Sequence, residues 1–185
     1  MKKYKLLITD LDGTLIETLS GDTFPKGIWD MKLKLYVFEA IKNYAPDDIL
    51  IISNQGGIEK GFVDKEMFEY KFDYISSALE DYTNISVYNF YCDNNDKDNI
   101  NRKPNTGMID QYMDYIKFIN DNVDEENKII YDTIMMIGDA SGKEGQFSDS
   151  DKKTAENFGC EYMDVDDFVF RYQIVYQIHN NLYSL

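Results

Sequence analysis

At 185 residues, with hydrophobic side chains making up 43%, the chain can bury one proper core and is too short for two sizeable domains. A formal charge of −15 excludes the electrostatic footprint of a nonspecific nucleic-acid binder, because so acidic a surface repels phosphate backbones at long range. Two cysteines without a spaced framework, Cys92 and Cys160, exclude a disulfide scaffold and fit a reducing compartment, and a lone histidine, His179, with no acid or nucleophile pattern around it, gives little support to imidazole triads or His-rich metal sites.

The opening Met1-Lys2-Lys3-Tyr4 runs straight into the apolar stretch Lys5-Leu6-Leu7-Ile8-Thr9, leaving no room for a secretory leader. No apolar run approaches the roughly 18 residues that cross a bilayer, so an intracellular, cytoplasmic protein without membrane association is expected. The first run ends abruptly in Asp10-Leu11-Asp12-Gly13-Thr14, which reads as a buried strand delivering two acids to a sheet edge. Asp-Gly is also a common turn dipeptide, so this stretch alone does not decide for function. Asp10 and Asp12 would repel unless a cation sat between them, and oxygen donors favour Mg²⁺.

A small hairpin is expected at about 14–28, where Ser20-Gly21-Asp22 and Phe24-Pro25 mark turns. Helical spacing from Leu33 to Tyr44 follows, ended by Pro46. Asp48 to Ile52 repeats the opening pattern and leads into Ser53-Asn54-Gln55-Gly56-Gly57. Asp64 is placed to cap a helix reaching about Tyr82, with Met67, Phe68, Phe72, Ile75 and Leu79 inward. A third strand spans Ile85 to Cys92, a polar loop spans Asp93 to Asn101, and Arg102-Lys103-Pro104 precedes a helix that Thr106 can cap. That helix runs to about Asn120. A fourth strand lies within Ile129 to Ile137 and ends in Gly138-Asp139. A helix over Ser150 to Phe158, closed by Gly159, a short strand at Glu161 to Val165 and a terminal helix complete the chain.

Alternating strands and helices without repeat or linker predict one α/β domain over 1–185: a three-layer, Rossmann-like parallel sheet with helices on both faces. In such a sheet all strand C-termini share one edge, so Asp10, Asp12, Ser53, Asn54 and Asp139 can converge, with Lys103 from a loop. That set suits metal-assisted phosphoryl transfer to a carboxylate. Gly138 to Lys143 is one residue short of a P-loop, and Glu144 replaces the required hydroxyl.

These residues resemble the four motifs of the haloacid dehalogenase superfamily of phosphotransferases: Asp10-Leu11-Asp12-Gly13-Thr14, Ser53, Lys103, and Gly138-Asp139 followed by Asp151. The resemblance implies that Asp10 accepts the phosphoryl group. It implies that Asp12 protonates the leaving oxygen and then activates water, its pKa raised by acidic neighbours. Ser53, the Asn54 amide and Lys103 would hold phosphoryl oxygens, and Asp10, the Asp12 carbonyl and Asp139 would ligate Mg²⁺. Thr14, Arg102 and Asp151 would support them, although a slip of two residues exchanges Asp151 for Asp149.

Within the superfamily, Asn54-Gln55-Gly56-Gly57-Ile58 with Lys60-Gly61, Arg102 to Met108, and Phe147 to Asp151 are similar to the 3′-phosphatase domain of polynucleotide kinase/phosphatases. So are Ser20-Gly21 with Phe24-Pro25, and the loop from Gly138 to Gly142. Histidinol-phosphate and heptose-bisphosphate phosphatases share the Arg-Lys-Pro segment but carry a zinc loop of cysteines and a histidine before it, where this chain has Cys92 alone. The resemblance implies a fold without a large cap and removal of a 3′-phosphate from a DNA end. The family's kinase module is absent, so a separate kinase or ligase partner is expected. The acidic charge opposes a DNA substrate unless Lys26, Lys32, Lys34, Lys60, Lys143, Lys152 and Lys153 form a local positive rim. Two alternatives stay open: a sugar or nucleotide phosphate phosphatase, and a non-catalytic binding protein on the same fold.

Overall fold

A computed structural model of the chain describes residues 3–22, 25, 27–146 and 148–182, with 174–182 as backbone only. Phe24, Lys26, Phe147 and the side chain of His179 lie outside the described residues. Five parallel strands form the central sheet: β1 (Tyr4–Thr9), β4 (Asp48–Asn54), β5 (Ser86–Cys92), β6 (Tyr131–Gly138) and β7 (Glu161–Asp164). Their spatial order is β5-β4-β1-β6-β7. A separate two-stranded antiparallel sheet joins β2 (Ile16–Glu17) to β3 (Lys32–Leu33).

Strand alternation splits the core into two layers. Leu7, Ile49, Ile51 and Ile137 pack under α1 (Leu35–Tyr44), α2 (Lys65–Thr83) and α5 (Val165–Leu182). Leu6, Ile8, Leu50, Ile52 and Met136 pack under α3 (Gly107–Asn120) and α4 (Ser150–Phe158). The central strands are apolar on both faces, and each fully buried Leu or Ile contributes about 1.5–3 kcal/mol. Among the described residues no helix is long and apolar enough to cross a membrane.

The chain leaves β1 toward β4 and β5, then returns to the other side of β1 for β6 and β7. That reversal opens a crevice beyond the C-terminal ends of β1 and β6, where the sheet's helices diverge. Asp10 stands there because its backbone N–H donates to the Ile137 carbonyl at 3.1 Å, extending the β1–β6 pairing by one residue.

Three local expectations change. The small sheet reaches beyond the expected hairpin at about 14–28, because Ile16 pairs with Leu33, which removes Leu33 from the first helix. Its connecting loop is gathered by the Asp30 carboxylate, which accepts from Ser20 N–H and Oγ at 2.7 Å each. Thr106 occupies the N-cap position of α3 without capping it, since its backbone is already helical (φ −99°, ψ −1°) and its hydroxyl donates to Asp110. Asp64 does cap α2, its Oδ1 accepting from Met67 N–H at 2.9 Å.

Candidate active site

Four loops leave the C-terminal edge of the sheet, and each brings polar groups to the crevice beyond β1. Asp10 follows β1, and its Oδ1 takes a hydrogen bond from the Lys103 ammonium while its Oδ2 accepts from Thr14 Oγ1 at 3.3 Å. Lys103 lies in the loop between β5 and α3, buried, and its ammonium also donates to Asp151 Oδ1 at 2.7 Å. Asp151, in the first turn of α4, accepts from Ala140 N–H through its other oxygen at 3.1 Å. Carboxylate oxygens of Asp10, Asp139 and Asp151 all lie within 4.8 Å of one another.

Two glycines make this approach possible. A Cβ on Gly13, whose φ is +84°, would lie 2.1 Å from Asp139 Oδ2, and one on Gly138 would lie 2.2 Å from Asp151 Oδ2. The acids therefore occupy space that any other residue at 13 or 138 would fill.

Charge is unbalanced here, with three carboxylates gathered around one ammonium. Burial pushes the Asp10 carboxyl up to about 8, and Asp151 and Asp139 add to the shift although Lys103 opposes it. Burial also raises Asp139 to about 6, with Asp151 contributing. Burial works against the Lys103 ammonium, but Asp10 and Asp151 outweigh it and hold its pKa above the ordinary lysine value. The Lys103 ammonium pulls the Asp10 carboxyl down, and burial together with the two neighbouring acids outweighs it. A hard divalent cation on these oxygens fits both the donor set and the deficit.

Asp12 supplies no carboxylate to that trio. Its Oδ2 accepts from Gln55 Nε2 at 2.6 Å and its Oδ1 lies 3.5 Å from Lys71 Nζ, so only its backbone carbonyl remains for the metal role that the resemblance implies. The acidic neighbours expected around Asp12 surround Asp10 instead. Ser53 is buried at the end of β4, and its Oγ accepts from the same Gln55 amide at 2.8 Å, leaving the hydroxyl proton free to point elsewhere.

The Asn54 side chain is committed to the fold. Its amide brackets the Lys103 backbone, accepting from the N–H at 2.9 Å and donating to the carbonyl at 3.0 Å, so only its backbone N–H is left for a phosphoryl oxygen. Arg102 holds the same loop from within by donating to the Asn94 carbonyl at 3.0 Å. Geometry also separates two aspartates. Asp151 is buried against Lys103, whereas Asp149 pairs with Lys153 on the surface at 2.7 Å.

Among the described lysines of the expected rim, three meet surface carboxylates. Lys32 pairs with Glu17 at 2.8 Å, Lys153 with Asp149 at 2.7 Å, and Lys143 with Asp164 and Asp167 at 3.1 and 2.8 Å. Lys34 donates to the Gly13 carbonyl at 2.6 Å, beneath the first motif, and Lys60 and Lys152 stay exposed. Sequence reasoning missed Gln55 and Lys71. Lys71 carried a signal, since it stands three residues after Phe68 and four before Ile75, inside the inward stripe of α2.

The family described as polynucleotide kinase 3 phosphatase matches residues 5–169 of this chain. The bifunctional polynucleotide phosphatase/kinase of Schizosaccharomyces pombe is 31% identical over 183 residues, covering 94% of this chain and 40% of that protein. This chain thus spans less than half the length of that relative. An uncharacterized 20.8 kDa protein of Autographa californica nuclear polyhedrosis virus is 27% identical, over 91% of this chain and 87% of its own length. The D,D-heptose 1.7-bisphosphate phosphatase of B. bronchiseptica, solved with magnesium and phosphate, superposes with a TM-score of 0.56 at 22% identity. That superposition covers 85% of this chain and 78% of the other, and shows a shared fold.

Proposed function

The chain belongs to the polynucleotide kinase 3 phosphatase family, and from that premise we propose that it removes the phosphate from a polynucleotide 3′ end, using Mg²⁺ and an aspartyl phosphate on Asp10. Membership and fold make the domain a phosphatase of the haloacid dehalogenase type. The observation that carries the mechanism is the Lys103 ammonium, held between the Asp10 and Asp151 carboxylates.

In this reading a carboxylate oxygen of Asp10 attacks phosphorus, the bond to the ester oxygen breaks, and Asp12 gives that oxygen its proton. Asp12 then takes a proton from water, whose oxygen displaces Asp10 and frees inorganic phosphate. Ser53 Oγ–H, the Asn54 N–H and the Lys103 ammonium hold the phosphoryl oxygens. The Asp10 and Asp139 carboxylates and the Asp12 carbonyl would hold Mg²⁺, which would supply the charge neutralisation without which a carboxylate and a phosphate dianion repel. Asp151 already has partners on both oxygens, and its part is to hold Lys103 in place.

Metal binding has a readout independent of turnover. Mg²⁺ at about 100 times its dissociation constant is expected to stabilise the fold by about 2.7 kcal/mol, seen as a rise in thermal midpoint. Asp139→Asn should lose most of that rise; an unchanged rise would place the ion elsewhere.

A polynucleotide end is a polyanion, and among the described residues the cations at this site, Lys34, Lys71 and Lys103, are each engaged by protein groups. Apolar groups offer another hold: Trp29 is 67% and Phe62 81% exposed, on loops leaving the edge of the sheet where Asp10 lies. Aromatic faces stack bases at about 1–3 kcal/mol each without regard to charge. The engaged lysines equally suit a small sugar or nucleotide phosphate, and the test separates the two. With Mg²⁺, a 3′-phosphorylated oligonucleotide is expected to be hydrolysed with a higher kcat/KM than a 5′-phosphorylated one or a panel of sugar phosphates. Sugar phosphates ahead by orders of magnitude would remove the polynucleotide substrate, and no turnover of any of them would leave a binding protein.

A further inference from the structure

Lys71 is a buried cation that the chemistry above does not use. It sits in the second turn of α2, 6% exposed, with its stem on the side of the helix that carries Phe68, Phe72 and Ile75 into the core. Its Nζ lies 3.5 Å from Asp12 Oδ1. Burying a lysine costs several kcal/mol and is ordinarily repaid by neutralising an equally buried acid. The Asp12 side chain is instead 43% exposed and already solvated, so it needs no such partner for its own stability.

The other Asp12 oxygen is held independently. Gln55 Nε2 donates to Oδ2 at 2.6 Å and to Ser53 Oγ at 2.8 Å, tying the carboxylate to the end of β4. Asp12 is thereby held at both oxygens from two different elements, by the β4 edge on one side and α2 on the other. A solvent-facing aspartate without such donors would rotate freely about its side-chain bonds.

We infer that Lys71 is a positioning residue that, together with Gln55, fixes the Asp12 carboxyl where it can pass its proton to the departing ester oxygen. This rests on the reading of Asp12 as the proton carrier given above. Its consequence is selective. Protonation matters when the leaving oxygen is basic, as in an alkyl ester, and matters little for p-nitrophenolate, which departs without a proton.

The test compares Lys71→Met with the unmodified protein on p-nitrophenyl phosphate and on whichever alkyl phosphate the unmodified protein turns over fastest. The expected result is a fall in kcat/KM of about 10-fold or more on the alkyl ester, part of the 10²–10⁴ that acid–base catalysis supplies, with less than about 3-fold on the aryl ester. That quantity reads the steps up to departure of the ester oxygen and not the later hydrolysis common to both esters. Lys71→Arg, which keeps a cationic donor, should recover most of the alkyl activity. Should the Met variant fail to fold, Lys71→Gln reads the same ratio. Equal losses on both esters would overturn the inference while leaving the phosphatase reading intact. No turnover of either ester by the unmodified protein would overturn that reading and the role of Lys71 with it.

Discussion

Asp10→Asn is expected to cut turnover by about 10⁴-fold or more, the scale of losing an activated nucleophile, while the protein stays folded. An amide does not form the acyl phosphate, yet it is nearly the same size: its one oxygen can still accept from Lys103, and its N–H group, standing where Oδ2 was, can donate to the Thr14 hydroxyl in place of the bond Asp10 now accepts. The substitution also removes a buried carboxyl that resists ionising beside Asp139 and Asp151. Stability in metal-free buffer should therefore hold or rise, the reverse of the usual cost of deleting a buried partner. The pH dependence follows with a definite sign. Because burial raises the folded-state Asp10 carboxyl from 3.8 to about 8, the native state holds a proton that the unfolded chain releases, and stability falls as pH rises through that window. Asp10→Asn should flatten that fall, as measured by thermal midpoints in a chelator between about pH 4 and 8. Activity within about 10-fold of the unmodified protein would exclude the covalent route.

Lys103→Met should be damaging in both respects. It removes the one cation that, among the described residues, pairs with Asp10 and Asp151, and breaking a buried pair from one side costs about 3–5 kcal/mol. Loss of a preorganised charge aimed at the transferring group costs a further 10²–10³ or so in kcat. Mg²⁺ should restore part of the stability, because it answers the same charge deficit, but not the turnover, because it does not occupy the position of the ammonium. Urea unfolding with and without Mg²⁺, beside kcat, separates the two effects. A variant that loses neither would show that Lys103 is a bystander.

Several site features could not be read along the chain, for identifiable reasons. Asp149 and Asp151 have the same chemistry two residues apart. Only the helical turn of α4 decides that the second faces Lys103 and the first meets Lys153 outside. The two-point bond of the Asn54 side chain to the Lys103 backbone joins positions 49 residues apart, a distance no local pattern encodes. Which lysines of the expected rim meet a carboxylate was equally invisible along the chain: Lys32, Lys143 and Lys153 do, whereas Lys60 and Lys152 stay exposed. Lys71 was legible only as an irregularity in an apolar stripe, and its partner comes from another element.

Local chemistry was enough for the strands, most helix boundaries and the positions of the acids. Apolar runs of branched residues must be buried, a run that stops in Asp-Leu-Asp-Gly must surface there, and period and capping chemistry act over a few residues. Tertiary packing alone decided which charges touch: that Asp151 rather than Asp12 completes the carboxylate trio with Asp10 and Asp139, and that Lys71 and Gln55 grip Asp12. The reason is reach. A hydrogen bond or ion pair is settled within about 3–4 Å of space, and residues that close in the fold are set there by the register of five strands, not by their separation in the chain.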